Sequence, residues 1–279
     1  MKSLLSLLLL SLLSSLVYAF EASLVTQGSW QQGAVIQGRV APTTQVLFLD
    51  RDVQVTARGL FVIGLGRDAP AQMVINTVDA TGKKQAHYFD VLQRDYRIQK
   101  VEGVPKKTVN PTPKQVKRSR KEAALAWKAR QLNSSREDFL MTFQWPILGP
   151  ITGVYGSQRY YNGEARRPHY GVDVAAPKGA QVVAPAAGVV TLVHSNMFFS
   201  GGTLIVDHGH GLSSTFIHLS KILVAEGEVL QQGQPIAEVG STGRATGPHL
   251  DWRMNWFNQR LDPQLLVGDM PKSMPSDSQ

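Results

Sequence analysis

Residues 181–219 read QVVAPAAGVVTLVHSNMFFSGGTLIVDHGHGLSSTFIHL, and ILVAEGEVL (222–230) and PIAEVG (235–240) continue in the same manner. β-Branched and aromatic residues come in short runs broken by glycine, and no 3.6-residue period passes through them. Glycine-punctuated strands of similar length predict an all-β domain. Working outward, the β character begins near Phe143 and ends near Val267, which sets a domain at 143–267.

A second β region occupies 20–96. VLFLD, VQVTA, LFVIGLG, MVINTVD and HYFDVL are parted by Gly, Asp-Arg-Asp and Ala-Thr-Gly turns, the pattern of a small β-sandwich. Nothing in it resembles a catalytic constellation, and its one histidine, His87, is read at a strand start. Between the two, residues 97–142 change composition. VPKKTVNPTPKQVKRSR is basic and proline-rich, and KEAALAWKARQL follows with strong helix formers. A linker ending in a helix over roughly 113–132 is predicted. Its candidate apolar residues, Val116, Leu125, Trp127 and Leu132, do not share one face.

The formal charge of +8 is concentrated in this linker. Arg97 to Arg130 hold eleven Lys/Arg against two Asp/Glu, or +9, and the remainder carries about −1. A charge confined to one segment is not the basic surface of a nucleic-acid binder. The segment either attaches to an anionic surface, lipid headgroups or cell-wall carboxylates, or is a solvated connector. The poor apolar stripe favours the connector.

Residues 1–19, MKSLLSLLLLSLLSSLVYA, have the layout of a secretory signal peptide cleaved after Ala19. The apolar run is short for a membrane span and broken by serines. Residues 268–279 read as a disordered Pro/Ser/Asp tail. The 279 residues include no cysteine, so an exported chain relies on packing, and thiolate nucleophiles and metal ligands are excluded.

Six of the seven histidines fall in the second β region: His169, His194, His208, His210, His218 and His249. In a Cys-free exported domain, His and Asp together suggest a metal site with nitrogen and oxygen ligands, zinc by default. HYGVD sets His169 four residues before Asp173, TFIHLS ends a strand on His218, and GPHLD supplies His249 and Asp251 on one strand face. DHGHG offers Asp207, His208 and His210 as a rival cluster, but its alternating glycines read as a hairpin loop. His194 has no partner nearby in sequence and is read as structural.

The stretches HYGVDVAAPKGAQVVAPAAGVV (169–190), GGTLIVDHGHGLSSTFIHLSKILV (201–224) and GQPIAEVGSTGRATGPHLDW (233–252) resemble the M23 peptidases, the lysostaphin/LytM-type zinc endopeptidases of bacterial cell walls. The resemblance runs from about Trp145 to Leu266. The N-terminal β region and GSQRYYNGEARRP (156–168) resemble a Gram-negative branch of that family. The family's pattern is H-x-x-x-D, a strand-end histidine, then H-x-H. It implies His169 and Asp173 as zinc ligands, His218 and His249 as catalytic histidines, and the second position of H-x-H as third ligand. That position is Asp251.

The exchange of His for Asp lowers the formal charge of a zinc site from +1 to zero, which weakens polarisation of water and carbonyl and favours harder ions. A carboxylate oxygen lies as many bonds from Cα as a histidine Nδ1, so Asp251 can occupy the place of an Nδ1 ligand. Three readings follow. The first is an exported, periplasmic metalloendopeptidase with one Zn²⁺ per chain, acting on peptide cross-links of peptidoglycan. The second is a LytM-type module that binds peptidoglycan or activates a cell-wall amidase. The third makes Asp251 the partner of Arg253 or Arg244, above a two-ligand site. Retention of His169, Asp173, His218 and His249 together favours the enzyme. Alternation along DWRMNWF assigns Trp252, Met254 and Trp256 to the core and leaves Phe257 on the face of Asp251. The expected architecture is a small N-terminal β-sandwich, a basic helical linker and a C-terminal LytM-like β-sheet domain with a groove.

Overall fold

The computed structural model describes residues 24–101, 111–161, 163–165 and 167–272. Residues 1–23, which include the expected signal peptide, the linker stretch 102–110 and the residues from 273 onward lie outside the described residues.

The N-terminal unit has β1 (Val25–Gln27), β2 (Val35–Arg39), β3 (Gln45–Phe48), β4 (Arg51–Val53), β5 (Leu60–Gly64), β6 (Gln72–Val78) and β7 (Lys84–Asp90). They form two small sheets, β1-β2-β5 and β4-β3-β6-β7. His87 lies in the middle of β7, not at a strand start, and its Nε2 shares a 3.0 Å hydrogen bond with Thr77 Oγ1.

The connector carries β8 (Ile98–Val101) and α1 (Pro113–Arg130). Thr112 and Gln115 form a reciprocal capping box ahead of Pro113, which fixes where the helix starts. The expected apolar residues do not dock it, since Leu125, Trp127 and Leu132 stay exposed. Ala126 and Ala129 pack instead on Leu192, Met197 and Ile205. Glu122 Oε2 accepts the Phe198 N–H at 2.8 Å.

The C-terminal unit continues with β9 (Ile151–Gly153), β10 (Gln158–Tyr161), β11 (Glu164–Ala165), β12 (Val172–Ala175), β13 (Gln181–Val183), β14 (Gly188–Met197) and β15 (Gly201–Asp207). Then come β16 (Leu212–Leu219), β17 (Lys221–Ile222), β18 (Val229–Leu230), β19 (Pro235–Glu238), β20 (His249–Trp256), β21 (Gln259–Leu261) and a short α2 (Pro263–Val267). The main sheet runs β18-β14-β15-β16-β20-β12-β9, with β21 on β20. The all-β class holds.

Trp252, Met254 and Trp256 are buried on the back of β20. Phe257 is not on the groove side: it turns at φ +47°, is buried, and packs under Arg51, whose Cζ sits 3.8 Å from the ring centroid. The core is continuous across both units, from Ile36, Phe61 and Ile75 to Trp145, Leu204 and Trp252. Phe48 meets Trp256 edge to face at 5.8 Å, and Arg94 pairs with buried Asp262 at 2.9 Å.

Candidate metal centre

β12 and β20 are antiparallel neighbours, and their register sets Asp173 directly opposite Asp251. Both carboxylates therefore leave the sheet on one face. His169 stands just before β12, held by its backbone N–H donating to Ser157 O (2.9 Å) and its carbonyl accepting from Gly156 N–H (2.7 Å). Two glycines make room. A Cβ at Gly171 would lie 2.3 Å from Asp251 Oδ1, and one at Gly153 would lie 2.2 Å from Asp173 Oδ2. Any side chain there displaces a carboxylate.

His169 Nε2 is 3.1 Å from Asp173 Oδ1 and 4.0 Å from Asp251 Oδ2. All three residues are buried, and one ligand atom from each lies within 4.8 Å of the others. A tetrahedral ion with bonds of about 2.0–2.1 Å needs ligand edges of about 3.3 Å. One imidazole nitrogen and two carboxylate oxygens therefore fit a zinc-sized cation after a contraction of about 1 Å.

Two imidazoles flank this cluster. His249, first in β20, donates Nδ1–H to Gly247 O at 2.8 Å, and its Nε2 is 3.9 Å from Asp173 Oδ1. A carbonyl only accepts, so the tautomer is fixed. Strict alternation would turn His218 away from the site, because its neighbour Ile217 pairs with Asp251. The β15–β16 register slips between Gly202 and Leu204, and His218 takes φ +65°, which re-aims the ring. The ring then lies 4.9 Å from that of His249, with its Nδ1–H donating to Thr242 O at 2.8 Å. Both rings present Nε2 as the free basic atom. Burial lowers the His218 pKa, against the pull of Asp251, so the ring is neutral near pH 7.

Asp251 carries a further interaction. Arg253, two residues along β20, grips it in bidentate fashion, Nε to Oδ1 at 2.9 Å and Nη2 to Oδ2 at 2.6 Å. Burial alone would raise the Asp251 carboxyl; the Arg253 charge and hydrogen bonds, with His169 and His218, outweigh it and hold it below the usual range. Asp251 thus belongs to the cluster and to an ion pair at once, which the oxygens' several lone pairs allow.

The rival cluster is not a site. His208 is wholly buried, its Nδ1 bonded to Ala187 O and its Nε2 to Ser214 Oγ. His210 bonds Gln54 O in the N-terminal unit at 2.9 Å, and Asp207 accepts from Ser134 Oγ. His194 Nδ1 accepts the Asn196 N–H at 3.1 Å. Sequence reasoning missed the Thr242 carbonyl that orients His218, and a backbone acceptor leaves no residue-type signal.

The Peptidase family M23 profile matches residues 167–263. Peptidoglycan DD-endopeptidase ShyB of Vibrio cholerae is 38% identical over 112 residues, 39% of this chain and 26% of that protein. DD-carboxypeptidase/endopeptidase Mpg of Neisseria meningitidis is 37% identical over 127 residues, 46% of this chain and 29% of that protein. Murein hydrolase activator EnvC of Escherichia coli is 35% identical over 124 residues, 44% of this chain and 28% of that protein. The alignments thus span between a quarter and a third of these relatives' length. A solved Pseudomonas aeruginosa protein assigned to peptidase family M23 superposes with TM-score 0.70 at 29% identity, over 86% of this chain and 96% of that one. That superposition covers both β units, and the profile falls on the strands that carry the cluster. Residues 167–263 are thus a peptidase M23 domain, similar to those of relatives from Gram-negative bacteria.

Proposed function

We propose that the chain is a zinc metalloendopeptidase that hydrolyses peptide cross-links of peptidoglycan, between D-Ala and diaminopimelate, after export to the periplasm. The observation that carries this reading is the convergence of His169, Asp173 and Asp251 beneath two imidazoles whose Nε2 atoms are free. The names of the DD-endopeptidase relatives support the substrate class, and the layout of residues 1–19 supports export.

His169 Nε2 and one oxygen each of Asp173 and Asp251 would hold the ion, which when bound supplies Lewis-acid polarisation of the scissile carbonyl and activation of the attacking water. The exchange of His for Asp at 251 is balanced by Arg253. Zn²⁺ with two aspartates and one guanidinium sums to +1, the value of Zn²⁺ with two histidines and one aspartate. His218 Nε2 would accept a proton of the attacking water, since Thr242 keeps the other nitrogen protonated. That proton would pass to the adjacent His249 Nε2, whose N–H then steadies the carbonyl oxygen and gives the same proton to the leaving amine, which returns both rings to their neutral form.

The similarity to EnvC supports a second reading, an amidase activator. The intact donor set argues against it, because a chain that holds no metal has no use for two glycines that make room for carboxylates. The deciding experiment is digestion of purified Gram-negative sacculi with the mature protein, with and without chelator, followed by mass spectrometry of released muropeptides. The expected result is loss of cross-linked dimers that the chelator abolishes. Cross-links intact in both arms would transfer the assignment to the activator.

A further inference from the structure

A second polar cluster lies on the sheet face that carries Asp251, one step along β20. Across the sheet Ile205 pairs with Thr215 and Thr215 with Arg253, while Ser213 pairs with Asn255 and Asn255 with Arg260. The last turn of α1 borders this patch. Ala129 packs toward Ile205, Gln131 Nε2 donates to Asn258 Oδ1 at 3.0 Å, and Arg130 lies between them, close enough to Arg253 to feel its charge.

Arg130 is 8% exposed, yet its Nε has no hydrogen-bond partner, and among the described residues it makes no ion pair. The hydroxyls of Ser213 (2% exposed) and Thr215 (4%) are also buried without partners. The Arg260 guanidinium donates one hydrogen bond, Nη1 to Asn255 Oδ1 at 3.2 Å, and no carboxylate pairs with it among the described residues. Burial and Arg253 push Arg130 down to about 10, and burial, Arg130 and Arg253 push Arg260 down to about 9. A guanidinium keeps its proton at those values at neutral pH, so the repulsion falls on the fold. Arg253 alone is neutralised, by Asp251. A buried cation, a half-buried one and two idle hydroxyls call for an anion.

The geometry points to a carboxylate-binding subsite built from Arg130, Arg260 and the hydroxyls of Ser213 and Thr215, which holds a carboxylate of the peptide whose scissile bond lies at the metal cluster. Along β20 the subsite lies level with Arg253 and Asn255, two to four residues from Asp251, a rise of about 7–13 Å. An extended substrate covers that distance in about two to four residues, so the carboxylate belongs to a residue near the scissile bond. On its other side Arg260 lines, with Tyr170, the residue after His169, and Arg67 and Asp68, a cleft of about 350 Å³ between the two β units, and the carboxylate enters past Arg260. Planar guanidinium forks match carboxylates, and Ser and Thr hydroxyls add donors without charge. The assignment to substrate rests on the peptidase reading; the test does not depend on turnover.

Zinc-free full-length mature protein is titrated calorimetrically with L-Ala-γ-D-Glu-diaminopimelate-D-Ala and with the same peptide fully amidated. The acid form is expected to bind at least about tenfold tighter. In Arg130→Met and in Arg260→Met that preference falls to about twofold, while zinc affinity is unchanged. Equal affinity of wild type for both peptides, or full preference retained in both variants, overturns the subsite. Thermal unfolding at low salt gives a readout without peptide. Inorganic phosphate should raise the Tm of wild type and not that of either variant. Stabilisation by phosphate without any acid–amide preference would mean a site for inorganic anions only, which overturns the assignment to substrate. If Arg130→Met does not fold, Arg260→Met carries both arms.

Discussion

At the scale of single residues, Asp251 is where pattern and structure are best compared. Its place on the face of His249 follows from strand alternation and is legible in GPHLD, whereas its position opposite Asp173 is a register between two strands that no single stretch contains. Its bidentate partner is legible too, as Arg253 stands at i+2. What no local pattern contains is that both partners can hold it at once. If Asp251 is a ligand, Asp251→Asn should weaken zinc binding by more than about 100-fold, measured by chelator competition, beyond the usual effect of losing an outer partner. Arg253→Met leaves a buried carboxylate uncompensated and should cost the zinc-free protein about 3–5 kcal/mol in denaturant unfolding. Added zinc should recover much of that loss, and no recovery would mean that Asp251 does not meet the ion. Gly171→Ala should abolish zinc retention without unfolding the chain, read by metal content against circular dichroism, because the new methyl falls on Asp251 Oδ1. His208 belongs to this scale as well. Burial pushes it down to about 4. Its folded pKa lies below its unfolded one, so its contribution is present above about pH 6.5 and is lost as pH falls toward 4, by up to about 3 kcal/mol. Urea midpoints at pH 7 and pH 4.5 should differ accordingly, and His208→Gln should flatten that difference.

At the scale of elements, the strands were legible and the helix docking was not. Glycine spacing and β-branched runs announce β14, β15 and β16: β15 and β16 are buried on both faces, which demands such residues, and β14 buries one face and half-buries most of the other. α1 was legible as a helix from its strong helix formers, but its contact face rests on two alanines and a glutamate that caps a distant backbone N–H. Small side chains and single polar contacts leave almost no periodic signal. The turn of His218 out of alternation is equally silent, since a bulge is a property of two strands and not of one. Ala129→Asp should detach α1 by burying a charge against Leu192 and Ile205. Limited proteolysis should then cut within 113–130 much faster than in wild type, and an unchanged cleavage rate would mean that the helix is held elsewhere.

At the scale of the whole molecule, the two β units are legible one by one, yet their fusion is not. Separate sandwich and groove domains were expected on either side of a connector. The packing of Phe48 on Trp256, Arg51 over Phe257, His210 on Gln54 O and Arg94 on Asp262 joins them instead. Contacts so far apart in sequence carry no short-range pattern. Calorimetry should give a single unfolding peak for the full chain. Removal of residues 24–96 should leave an aggregating product, since it uncovers Trp256, Phe257 and Leu261. Two resolved transitions would show that the units are thermally independent.

The continuous core also bears on turnover. Because one core runs through both units, a form opened between them exposes apolar surface on each side and has little to hold it. The molecule is then either whole or fully accessible to proteases, and a half-unravelled remnant with its His–Asp cluster still assembled has no lifetime in which to act unattended.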